Sequence, residues 1–135
     1  MAKRWNFDKY IKGLKAKKRT LPREIGIMAK NQFVYSFRMQ RFNDSGSMAW
    51  QPRKNNYDPG RAILIGKGTA HLRNSIRVKS ATFKKIAVGS YGLAYASVHN
   101  RGLGHMPKRQ FIGNSTTLTT KIRKKVSREI KDVFK

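Results

Sequence analysis

Two hydrophobic rhythms, one after the other, limit what this chain can fold into. Between Leu21 and Phe42, Ile25, Met28, Ala29, Phe33 and Phe37 recur at steps of three and four, a single stripe on an α-helix of about six turns. Arg23, Lys30, Arg38 and Arg41 fall on the other face. Beyond residue 62 the rhythm shortens. Ala62-Ile63-Leu64-Ile65 is a short apolar run, Ser75 to Lys79 alternates like a half-buried strand, and Lys85 to Gly89 and Ala94 to Val98 follow. The last three predict strands of one antiparallel sheet, with a helical turn over Thr69 to Asn74 before them. Helical spacing returns after the capping pair Asn114-Ser115, where Leu118, Ile122, Val126, Ile130 and Val133 or Phe134 line one side. The predicted class is α+β: a long N-terminal helix and a C-terminal helix packed on a small antiparallel β-sheet.

Residues 1–20 read as a basic N-terminal arm or a short helix, since Phe7, Tyr10, Ile11 and Leu14 have helical spacing. Pro22 predicts a break there, with a new helix starting from Thr20 as cap and the proline in its first turn. Residues 21–135 then form a single α+β domain, with no internal repeat. With 135 residues, 39% of them hydrophobic, the chain can bury a modest core. Asn43 to Ser47 is a turn cluster, and Gln51 to Arg61 reads as a long loop closing on Asp58-Pro59-Gly60, anchored by Trp50.

Charge narrows the function. Thirty-one Lys and Arg stand against six Asp and Glu, a net charge of +25. A chain this basic is expected to meet a polyanion or an acidic protein surface. The densest clusters are Lys15, Lys17, Lys18 and Arg19 near the start and Lys124, Lys125 and Arg128 on the last helix, where cations also complement the helix dipole. These are the candidate contacts to DNA or to an acidic partner. No stretch approaches the ~20 apolar residues that cross a bilayer, and the first residues carry no apolar signal region. Membrane partners are therefore not expected, and the chain reads as made and used in a cytoplasm.

Catalytic readings fail on spacing. Ile65-Gly66-Lys67-Gly68-Thr69 lacks the four-residue gap and the Lys-Ser/Thr pair of a phosphate loop. His71, His99 and His105 lack helical pair spacing and nearby carboxylates, and there is no cysteine, so no metal or cofactor is expected. Asp44 and Asp58 suit turns, and Glu129 and Asp132 suit local ion pairing on a lysine-rich helix. No acid–base or nucleophile constellation emerges, and the chain reads as a non-enzyme. Aromatic residues among basic ones (Trp5, Tyr10, Phe33, Tyr35, Phe37, Tyr57) keep sequence-independent nucleic-acid binding open as the alternative, although no reading-head motif accompanies them.

An ordered series of short motifs remains. Arg41-Phe42 closes a helix, and Trp50-Gln51-Pro52 follows. Next come an Ile-Leu strand and Gly68 to Ile76, with Leu72, Ser75 and Ile76. A Val88-Gly89 turn, Tyr95-Ala96, His99 to Gly102, and Pro107, Arg109, Phe111 and Gly113 complete it. In this order the parts resemble the phage Mu-like virion-morphogenesis, or tail-completion, family over roughly Ile25 to Ile130. The resemblance implies a structural virion protein of a tailed phage or prophage. It would form part of the head–tail connector (neck, tail-completion or tail-terminator ring), be made in the host bacterial cytoplasm and be localised to the virion. It also implies a homo-oligomeric ring and neighbouring neck and tail proteins as partners, with the positive charge facing either DNA phosphates or acidic faces of those neighbours. Long loops suit head-to-tail ring contacts. Trp50 with Tyr57 and Arg61 is one expected interface; Met106, Pro107, Arg109 and Phe111 form another, aromatic and Arg anchors being common there. The other reading of Arg109 and Phe111 is a strand-to-helix connection with Phe111 in the core.

Overall fold

The computed structural model describes residues 5–53, 62–65 and 70–135. One helix dominates. α1 runs from Phe7 to Met39 without interruption, capped by Asn6, whose side chain accepts the Lys9 amide at 3.1 Å. The break expected at Pro22 is absent. Pro22 lies inside the helix and is buried, and Thr20, expected as a cap, bonds back to the Ala16 carbonyl at 3.2 Å. Tertiary packing overrides the local preference. Pro22 opens the buried stripe that continues through Gly26, Ala29, Phe33 and Phe37, and the last helix lies along the preceding turns.

Two short helices, a hairpin and a final helix follow: α2 His71–Asn74, β1 Ile76–Ala81, β2 Ile86–Ser90, α3 Ala96–Arg101 and α4 Thr116–Val133. β1 and β2 pair antiparallel, Ile76 opposite Ser90 and Val78 opposite Val88, with a register shift between Val78 and Ser80. They form a two-stranded sheet against which α1 packs. Gly26 makes that approach close: a Cβ there would meet a Val78 methyl at 2.9 Å.

Three local expectations are corrected. Tyr95 to Val98 is not a third strand; Ala96–Arg101 is helical, stopped by Gly102 in the left-handed region at φ 69°. Ala62 to Ile65 forms a turn rather than a strand, with Leu64 itself at φ 65°. Val88-Gly89 lies within β2, not in a turn. The helical turn before β1 and the cap of the last helix are found as expected, Ser115 accepting the Leu118 amide at 3.1 Å. The class is α+β, a long N-terminal helix and a C-terminal helix with a small antiparallel sheet.

The core gathers Phe33, Phe37, Phe42, Trp50, Leu72, Ile76, Ala96, Phe111 and Leu118. At its centre Phe37 meets the Trp50 ring edge-on at 5.5 Å and the Phe111 ring at 5.2 Å. The fold thus centres on one end of α1, while the other end, from Tyr10 to Lys17, lies against α4. There Tyr10 stacks near Phe134 at 5.2 Å, and Lys17 pairs with Glu129.

Candidate interaction site

The short motifs that stand far apart in the chain meet around the C-terminal end of α1. Gln40, in the left-handed region at φ 56°, ends the helix, and its carbonyl accepts the Trp50 amide at 2.8 Å. The excursion from 41 to 49 is closed by a bridge between Arg41 and Ala49. Trp50 then turns inward and donates its indole N–H to the Gln110 carbonyl at 2.9 Å. Buried Arg109 reaches the other way, its Nε to the Gln51 carbonyl at 2.9 Å and its Nη2 to the Pro52 carbonyl at 3.1 Å. A planar guanidinium suits two neighbouring carbonyls in a way a lysine ammonium does not. Burial, and then the charge of Arg53, push the Arg109 guanidinium down from its ordinary value.

A second clamp comes from α3. The Asn100 carboxamide oxygen accepts the amides of Phe111 at 2.9 Å and Ile112 at 3.0 Å, and its nitrogen donates to the Ile112 carbonyl at 3.1 Å. Pairing with backbone as a neighbouring strand would, this side chain holds Phe111 and Ile112 over the core. The neighbouring His99 accepts the Arg109 amide with its carbonyl at 2.8 Å. Its Nδ1 is buried without a hydrogen-bond partner among the described residues, and burial followed by the Arg109 charge lowers its pKa. Gly102 passes so close to Lys108 that a Cβ would meet its backbone nitrogen at 2.8 Å.

The described residues on either side of positions 54–61 meet each other and the end of α1. Arg53 bonds the Ala62 carbonyl, and the Ile63 amide donates to the Gln40 side chain at 2.7 Å. Tyr57 and Arg61, expected as interface residues, lie outside the described residues. Of the other residues expected at interfaces, Trp50, Arg109 and Phe111 are buried inside the domain, so Phe111 follows its core alternative. Met106 stays exposed and Pro107 half-buried, both on the outer side of this unit.

The basic residues divide in two. Lys17 is turned inward to Glu129, whose hydrogen bond raises the Lys17 pKa while lowering that of Glu129. Lys125 is also engaged, 3.1 Å from Glu24 and 3.7 Å from Glu129. Lys15, Lys18, Arg19, Lys124 and Arg128 are exposed. Lys124, Arg128, Lys131 and Lys135, spaced four, three and four, share one outer face of α4, where a shallow depression of about 520 Å³ opens. Lys135 is paired with Asp132 at 3.1 Å.

Asp44 is the functional-looking carboxylate that sequence reading left as a turn residue. Its Oδ1 accepts the Thr117 amide and the Ser115 and Thr116 hydroxyls, each at 3.1 Å, and the Thr117 amide is the chief cause holding its carboxyl well below the usual range. It works as a long-range cap of α4. Among the described residues no group of three His, Asp or Glu gathers to hold a metal, and no helix is long and apolar enough to cross a membrane.

Comparison of the chain with protein-family models, curated proteins and solved structures finds no match.

Proposed function

We propose that the chain is a structural virion protein of a tailed phage or prophage, a component of the head–tail connector that assembles as a ring at the neck or tail terminus. The observation that carries this reading is the Arg109 fork. It joins the Pro-x-Arg-x-Phe-x-Gly segment to the carbonyls of Gln51 and Pro52, so the two most characteristic motifs of the series form one unit. The unit leaves Met106 exposed on its outer side, and an exposed apolar side chain on a rigid unit suits head-to-tail contacts between copies. The core residues serve as scaffold for that contact. In this reading the exposed cations face DNA phosphates or acidic neck and tail neighbours.

Absolute mass by light scattering, on nuclease-treated protein at high salt, tests the proposal. A discrete ring-sized oligomer is the expected result. A monomer at every concentration, with no rings in negative-stain images, overturns it.

Sequence-independent nucleic-acid binding is favoured by one specific observation, the cationic face of α4. A binder of that kind loses affinity steeply with salt, log affinity falling by about 0.7 to 0.9 per phosphate contacted for each tenfold rise in salt, and needs no ring.

A further inference from the structure

Away from the motif unit, at the middle of α1, three elements leave an apolar groove of about 420 Å³ uncovered. Leu14, Leu21 and Ile25 form its α1 wall, Val126 and Ile130 its α4 wall, and Phe83 at the hairpin tip overhangs it. Phe83 is 71% exposed, and Ile130 and Leu14 are about two-fifths exposed. Apolar side chains this open, grouped rather than scattered, mark a surface built to be covered.

The charges around it define the cover. The Lys18 ammonium sits 5.1 Å from the Phe83 ring centroid, and Lys84 and Lys85 stand exposed beside it on the same turn. The carboxylates nearest it are paired within the chain: Glu24 with Lys125, Glu129 with Lys17 and Lys125, and Asp132 with Lys135. The rim on the Lys18, Lys84 and Lys85 side is therefore cationic. A second copy is a poor cover: Glu24, Asp44, Glu129 and Asp132 are all engaged within their own chain, and each copy carries +25. A nucleic-acid strand is no better matched, because phosphates gain nothing from a Leu, Ile and Val floor.

We infer that this groove docks an acidic amphipathic helix from a different protein, its apolar stripe in the groove and its carboxylates on the Lys18, Lys84 and Lys85 rim. The α1 wall from Leu14 to Ile25 is about 16 Å long, which fits about three turns of such a helix. This surface is separate from the motif unit, and the inference stands or falls independently of the neck assignment.

The test uses the full chain, labelled for amide and methyl NMR, and a synthetic peptide of about 14 residues with Leu at steps of three and four and Glu between. Shifts confined to Leu14, Leu21, Ile25, Ile130 and the 82–86 turn are expected. A scrambled peptide of the same composition, and one with Lys in place of Glu, should bind at least about tenfold more weakly. Phe83→Ala, exposed and outside the core, should weaken binding about tenfold with the melting temperature unchanged. Equal binding of the scrambled peptide, or shifts spread over the cationic faces, overturns the inference. So does mapping of a single-stranded oligonucleotide to the same groove, or concentration-dependent shifts there without peptide.

Discussion

The carboxylate of Asp44 caps a helix that begins far along the chain: it accepts the Thr117 amide at 3.1 Å across 73 positions of sequence. Asp44→Asn keeps the shape and removes the charge, and is expected to destabilise the fold by about 1 kcal/mol in urea unfolding at neutral pH. The folded-state pKa of Asp44 is depressed, so its contribution is fully present above the unfolded carboxyl value, near 3.9, and is lost as pH falls toward the folded value. Melting curves of the two proteins should therefore converge as pH drops below about 4. A constant gap down to pH 2 would remove the charge from the explanation.

Pro22 and Gly26 make a second, paired prediction, because one helix is expected to answer oppositely at two neighbouring positions. Pro22→Ala restores an N–H to the interior of α1 and should stabilise by about 1 kcal/mol, the gain being trimmed by loss of the buried ring. Gly26→Ala also improves helix propensity on paper, yet its Cβ would press on Val78 at 2.9 Å and should destabilise by about 1 kcal/mol. Thermal unfolding of the two variants checks both signs.

Trp50 allows packing and hydrogen bonding to be separated. Trp50→Phe retains most of the ring packing against Phe37 and loses the bond to the Gln110 carbonyl, an expected cost of about 1 kcal/mol; Trp50→Ala should cost about 3 to 5 kcal/mol. In a Trp5→Phe background, where the exposed indole is gone, a blue-shifted Trp50 emission reports the unfolding directly.

Arg109→Lys tests the fork. The ammonium cannot reach two carbonyls in one plane, so a loss of about 1 to 3 kcal/mol is expected although the charge is retained. In a ring, the same variant should lower oligomer mass under conditions where the monomer remains folded by circular dichroism. Unchanged mass and unchanged stability would both count against the clamp.

Much of the fold was legible because it is written in local rhythm: the stripe from Ile25 to Phe37, the β1 alternation and the Ser115 cap are all found where the spacing puts them. The failures came where distant residues decide. Pro22 stays helical because α4 lies alongside the preceding turns and the proline itself begins the buried face, neither of which a window of neighbours contains. Tyr95 to Val98 is too short an apolar run for periodicity to separate strand from helix; what favours helix is Ala96, His99 and Asn100, which share one face toward the core and the 109–112 segment. The motif series was visible as an order of residues, but the Arg109 and Asn100 clamps, which make it a unit, cross gaps of 58 and 11 positions.

The engagement of Glu24, Asp44, Glu129 and Asp132 within their own chain has a consequence for assembly. With these four carboxylates engaged locally and 31 Lys and Arg against six Asp and Glu, the molecule presents a field of almost one sign, and copies approaching one another repel until ions shorten that field to about 10 Å near 0.1 M salt. Added salt thus pushes the two kinds of association in opposite directions: it lets like copies close ranks and strips a phosphate backbone away. Under the two readings proposed above, the ionic strength at which the protein sits decides which kind of association is favoured.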